Sequence, residues 1–212
     1  WEDSQIIQHK ELNEDIHYFG AKTAIQIAHA GRKSTVKDTT PIAPSVIAFS
    51  NEEPFKIPIS ASLEDIKNIK ELFVKTAIRA KSANYDAIEL HAAHGYLLCE
   101  FLSPLSNTRE DIYGGSLENR CRLVLEIAKE LKQKVALPLI VRISAHEWMK
   151  KGWSVSDSVY LCSKLEEIGT ERSQDRPINK VINKINKLKN EKKELEEYKD
   201  KKYEIEKESN LI

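Results

Sequence analysis

The sequence predicts an α/β fold built on a parallel sheet, of the barrel rather than the doubly wound kind. Three observations carry this. Apolar runs of strand length alternate with amphipathic helical stretches, the pattern of βαβ units. Those runs are almost continuously aliphatic, as strands covered on both faces are. A doubly wound sheet usually places a Gly-rich phosphate loop after its first strand, and the sequence has none there.

The elements follow in order. Residues 4–19 read as a helix with Ile6, Ile7, Leu12 and Ile16 loosely on one face and Gly20 as its stop. Residues 23–28 read as a buried strand. Residues 31–61 are rich in Thr, Ser and Pro and read as a long excursion holding a short hairpin. Ser62, with Asp65 three residues on, starts a capped helix to about Ala83. Leu63, Ile66, Ile69, Leu72, Phe73, Ala77 and Ala80 are its inward face. Residues 86–90 are the next strand, and a short apolar helix from Tyr96 to Leu102 ends before Pro104. Ser116 caps a helix to about Lys134, residues 138–143 form a third strand, and Ser154 to Ile168 is a third long helix closed by Gly169.

Composition narrows the function classes. The chain has 212 residues, with Lys plus Arg and Asp plus Glu both 33, so the formal net charge is zero. Nothing in that balance draws the chain toward nucleic acid or an anionic membrane. Cys99, Cys121 and Cys162 are odd in number and widely spaced, which points to a reduced, cytoplasmic compartment. No apolar run approaches the ~20 residues of a membrane span. The first residues are neither basic nor apolar enough for a signal peptide, and the absence of an initiator Met points to a start inside a longer protein.

Polar residues inside buried strands carry the functional signal. With side chains alternating at period two, Ile25 and Ile27 share one face and leave Gln26 on the other. Ile88 and Leu90 leave Glu89 and His91 opposite, and Leu139, Val141 and Ile143 leave Arg142 opposite. In a barrel that second face lines the interior, and its C-terminal end is where ligands bind. Gln26, His91 and Arg142 converge there, with His94 and Tyr96 on the following loop. Bland alternatives stay open for each residue. Gln26 could bond neighbouring backbone, Arg142 could form a structural ion pair with Glu89, and Tyr96 could be a core residue. The i, i+3 spacing of His91 and His94 could suit a metal, yet no clustered third ligand accompanies them, so no metal is expected.

Several segments together resemble the old yellow enzyme family of FMN-dependent ene-reductases. Ala28-His29-Ala30-Gly31-Arg32-Lys33 resembles the segment after that family's third barrel strand. His91-Ala92-Ala93-His94-Gly95-Tyr96-Leu97 resembles its substrate motif, in the branch with two histidines. Phe101-Leu102-Ser103-Pro104-Leu105-Ser106-Asn107, with Arg109, Asp111, Tyr113 to Ser116 and Glu118 to Arg120, resembles its long signature. Val141-Arg142-Ile143-Ser144 resembles the end of its fifth strand. The resemblance covers residues 1 to about 169.

It implies a partial (β/α)8 TIM barrel carrying strands three to five. It implies FMN as cofactor, with NADPH or NADH as reductant. Gln26 and Arg142 match the residues at the flavin pyrimidine, His91 and His94 the pair that holds a substrate carbonyl oxygen, and Tyr96 the proton donor. The implied reaction is reduction of the C=C bond of α,β-unsaturated carbonyl compounds. Negative charge then develops on the carbonyl oxygen, where two donors act as an oxyanion hole. A phenol is protonated at neutral pH and can donate.

The chain also departs from the family. A complete barrel takes about 250 residues. By resemblance the first two and last three strands are missing, with the phosphate-binding loops that follow strands seven and eight, so a lone chain is expected to bind FMN weakly. From residue 170 the composition changes. Ile178, Val181, Ile185, Leu188 and Leu195 fit heptad positions that Lys192 and Lys199 interrupt. Residues 170–212 read as a charged helix or weak coiled coil unrelated to the barrel, a route to self-association. The alternative function is accordingly a catalytically inactive remnant or a helix-mediated interaction protein.

Overall fold

A computed structural model describes residues 2–170 of the 212. The expectations for the tail from residue 171 onward, its charged helix and self-association included, lie outside the described residues. In chain order the elements are α1 (Gln5–Tyr18), β1 (Ala24–Ile27), a short 3-10 helix η1 (Gly31–Lys33), β2 (Ile42–Ala43), β3 (Ile59–Ser60), α2 (Leu63–Ser82), β4 (Ala87–Ala92), α3 (Leu97–Leu102), α4 (Leu117–Lys134), β5 (Leu139–Ile143) and α5 (Val155–Ile168).

β1, β4 and β5 form one parallel sheet in the order β1-β4-β5. Parallel neighbours require crossover connections, and α2 and α4 supply them. The helices start where their caps dictate. Ser62 and Ser154 each close a reciprocal capping box, with Asp65 and Asp157, and Ser116 accepts from the Asn119 N–H. Gly169 ends α5 at φ +82°, a conformation that favours glycine.

The core lies between the aliphatic sheet face and the helices. Ile88, Leu90 and Leu139 are buried against Ile66, Phe73, Leu123, Ile127 and Leu161 from α2, α4 and α5, with Phe101 from α3. Each such side chain contributes roughly 1.5–3 kcal/mol of transfer free energy. Asp86 sets the N-terminal edge of the sheet. Its carboxylate accepts from Lys22 Nζ and from the Thr23 N–H at 2.8 Å each, and His17 Nε2 lies 2.7 Å away. Those bonds, the one to Lys22 first, hold its carboxyl far below the usual range.

Three local expectations change. The 31–61 excursion contains no hairpin, because β2 and β3 pair in parallel, Ile42 with Ile59. α1 does not bury its aliphatic stripe. Ile7 and Leu12 are exposed and Asn13 is the residue buried, its Nδ2 donating to the Ala83 carbonyl at 2.7 Å. On α2, Leu63 and Leu72 are exposed while Val74 is buried, so the inward face is narrower and rotated. A helix crossing a sheet edge meets neighbours over only part of the stripe that its sequence offers.

Candidate functional site

The register of the sheet sorts the polar residues onto one face. Gln26 pairs with Glu89 and His91 pairs with Arg142, so the four residues share the face opposite the helices. Gln26 is level with Glu89 and Ile140, so Arg142 lies two strands across and two residues further along the sheet. Gln26 and Arg142 are exposed, Glu89 is half-buried and His91 is buried.

Glu89 is the partner of Gln26, whose Nε2 donates to Glu89 Oε1. That bond bears on two of the alternatives left open by sequence. Gln26 bonds a side chain rather than backbone, and no ion pair closes between Arg142 and Glu89 among the described residues. Arg142 is left with its guanidinium on the open face. Its charge still reaches His91. Burial first, then His94 and Arg142, push the His91 pKa down, with Glu89 opposing, so this imidazole is neutral at pH 7.

Three rings gather where β4 ends. The His91 ring centroid lies 5.1 Å from that of His94 and 5.3 Å from that of Tyr96. His91 Nδ1 is buried with no hydrogen-bond partner. A buried polar atom without a partner costs on the order of 1–3 kcal/mol, so this nitrogen is suited to a ligand that meets it. Tyr96 is half-buried as the N-cap of α3, and no described residue bonds its hydroxyl. Among the described residues no group of three or more His, Cys, Asp or Glu is placed to hold a metal ion.

Sequence reasoning missed the supports beneath these rings. His94 has φ +59° and Gly95 φ +71°, and for His94 that conformation costs free energy. The His94 N–H donates to Ser144 Oγ at 2.9 Å, and Lys33 Nζ donates to the His94 carbonyl at 2.7 Å. Glu100 of α3 is buried, and its Oε1 accepts from the Arg32 N–H at 2.9 Å. Burial pushes its carboxyl up to about 8, against the opposing pull of the Arg32 N–H and the Arg32 and Lys33 charges. A Cβ on Gly31 would collide with that carboxylate, so the approach needs glycine. An acid within the apolar run of α3 was the available signal.

The signature after α3 is structural in this chain. Arg109 Nη1 donates to the Pro44 and Ala61 carbonyls at 3.0 and 2.6 Å, and its Nε donates to Asp111. Asn107 Nδ2 donates to the Phe101 and Tyr113 carbonyls at 2.7 and 2.8 Å. A shallow depression lined by Pro44, Ser45, Ser60, Thr108, Arg109 and Asp111 contains none of the three rings. The guanidinium there is already engaged by backbone carbonyls and Asp111.

The donor set fits a flavin. A planar ring edged with carbonyl oxygens and ring nitrogens would meet an amide, a permanent cation and an unpartnered imidazole on one face. Comparisons with known proteins agree. The profile of the NADH:flavin oxidoreductase / NADH oxidase family matches residues 1–211. An NADPH dehydrogenase of Bacillus licheniformis is 47% identical over 171 residues, which are 81% of this chain and 50% of that protein. An NADPH dehydrogenase of Bacillus subtilis is 44% identical over the same length and shares. The chain thus spans about half the length of the curated relatives that it matches. Among solved structures, morphinone reductase aligns with a TM-score of 0.74 at 29% identity, covering 80% of this chain and 51% of that one. The old yellow enzyme homologue from Zymomonas mobilis aligns with a TM-score of 0.72 at 25% identity, covering 80% and 52%.

Proposed function

The chain belongs to the NADH:flavin oxidoreductase / NADH oxidase family of FMN-dependent enzymes, and we propose that its polar sheet face is the flavin and substrate side of an ene-reductase acting on α,β-unsaturated carbonyl compounds. The observation that carries this reading is the gathering of His91, His94 and Tyr96 at the end of β4, with His91 Nδ1 buried and unpartnered.

Each residue has a role that its chemistry suits. Gln26 and Arg142 would hold the pyrimidine edge of FMN, the amide through hydrogen bonds and the guanidinium through permanent charge. Bound FMN, reduced by NADPH or NADH, supplies the hydride that adds to the β-carbon of the alkene. His91 and His94 receive the carbonyl oxygen. His91 acts as a neutral donor, because its lowered pKa keeps the imidazolium form scarce at pH 7. Removing one donor to such an oxygen typically costs about 3–4 kcal/mol in the transition state. Tyr96 delivers the proton to the α-carbon. Its ring stands beside the His91 imidazole, and its hydroxyl is free of other described partners.

The test uses the whole expressed chain. Titration with FMN is expected to give a saturable change in flavin absorbance, reached only at high FMN because β1 and β5 are open sheet edges among the described residues. NADPH should then bleach the bound flavin, and a cyclic enone should restore its colour. Tyr96→Phe should keep the bleaching and lose most of the recovery. A chain that stays colourless at every FMN concentration would sink this reading and leave the catalytically inactive remnant.

A further inference from the structure

We propose that Lys33 is a positioning residue for the histidine–tyrosine group, a latch on the turn that aims His94 and Tyr96. The proposal rests on the reading of those two side chains as substrate-facing.

The turn needs such a latch. His94 and Gly95 both lie in the left-handed region, which for His94 is stable only when its surroundings over-determine it. Two bonds do so, one on each side of the residue. Ser144, just beyond β5, fixes the N–H of His94 at 2.9 Å, and Lys33, on η1, fixes its carbonyl at 2.7 Å. Both partners come from loops at the C-terminal ends of the strands that flank β4. The turn is therefore held from either side of β4.

Lys33 is shaped for this task. Its Cε passes the open side of Gly95, 3.4 Å from where a Cβ would stand. Its ammonium sits 4.3 Å from the centroid of the Phe49 ring and 5.5 Å from that of Tyr96. Attraction of a cation to two ring faces holds both the ammonium and the rings. One side chain thus touches the backbone of His94, the flank of Gly95 and the ring of Tyr96.

Its own base is rigid. η1 rests on α3, the helix that Tyr96 caps. Glu100 accepts from the Arg32 N–H, the Leu97 N–H donates to the His29 carbonyl at 3.0 Å, and Gly31 leaves room for the Glu100 carboxyl. Lys33 reaches back across 61 residues of sequence to a loop anchored on the same helix. A displaced Lys33 would release His94 and Tyr96 together, whereas a change at Ser144 would release His94 alone.

The test compares Lys33→Met, which keeps most of the stem and loses the donor and charge, with Lys33→Arg, which restores both. NMR of the ring resonances of His94 and Tyr96 is recorded on the whole chain without flavin. Lys33→Met should shift and broaden both sets while the thermal midpoint stays close to the parent's, and Lys33→Arg should return them toward the parent positions. Where the flavin-loaded chain reduces a cyclic enone, Lys33→Met should lower kcat roughly 10–100-fold, as a misplaced reacting group does, with a smaller change in KM. Unmoved resonances in Lys33→Met would overturn the latch. So would a loss in Lys33→Met that Lys33→Arg leaves unrepaired. If the resonances move but the parent chain neither binds FMN nor turns over, the latch stands and the flavin reading fails. Should Lys33→Met unfold, Lys33→Gln is measured in the same way and its resonances decide.

Discussion

The two faces of the three-stranded sheet share one backbone and carry opposite chemistry. On the helical face Ile88, Leu90 and Leu139 are at most 1% exposed and belong to one apolar cluster with the helices. On the other face Gln26 and Arg142 stand open, Ile140 is 40% exposed, and the one deeply buried group, His91, lacks a partner for Nδ1. The first face is sealed at its centre and only partly covered at Ile25, Val141 and Ile143 on the edge strands. The second has polar groups arranged and not used up. On the function proposed above, stability and chemistry would be divided between the two sides of the same strands, a division that single substitutions can probe.

The strongest break should come from the sealed side. Phe101→Ala removes a ring with no exposure at the junction of α3 with the core, and should cost about 3–5 kcal/mol in urea denaturation. A loss below about 1 kcal/mol would mean that the helical side is not the seat of stability.

Glu100 sharpens the comparison because it is an ionisable group buried against η1, apart from both faces. Its folded-state carboxyl is pushed up to about 8 from an ordinary 4.5. Between those values the folded chain keeps a proton that the unfolded chain has released. Stability is therefore full below about 4.5, falls as pH rises through the window by up to about 1.4 kcal/mol per unit, and levels off above. Glu100→Gln cannot ionise and should flatten that slope in melts across the window. An unchanged slope would show that the carboxyl is not the group responsible.

A smaller effect is expected at the helix starts. Ser154→Ala removes the side chain that accepts from the Asp157 N–H at the head of α5, and should cost about 1 kcal/mol. Calorimetry of the whole chain measures it.

The smallest stability effect is expected on the open face. Arg142→Met should change stability by no more than about 0.5 kcal/mol, since the guanidinium is exposed and closes no ion pair among the described residues. The same variant should weaken FMN binding. A large loss of stability with unaltered FMN affinity would reverse the roles of the two faces.

Much of this division was legible in the residues. Period two sorted Ile25, Ile27, Ile88, Leu90, Leu139, Val141 and Ile143 to one side and Gln26, Glu89, His91 and Arg142 to the other, as the register bears out. The caps at Ser62, Ser116 and Ser154 marked the helix starts. The family motifs named the segments whose rings meet. What stayed hidden were pairings between distant residues. Glu89 looked free for Arg142 and is held by Gln26, 63 residues away. Leu63 and Leu72 fitted the inward stripe of α2 and found nothing to cover them.

The sequence by itself determined what depends on neighbours along the chain: alternation within a strand, the face of a helix, a serine before its first turn, a glycine after its last. Those signals are set by backbone geometry within a few residues and hold wherever the segment goes. The tertiary structure alone decided which of the polar groups on neighbouring strands bond one another, Gln26 with Glu89 and not Arg142 with Glu89. It also decided that Lys33 and Ser144 hold one turn from opposite sides. Contacts of that kind depend on strand order and crossover path, which no local spacing records.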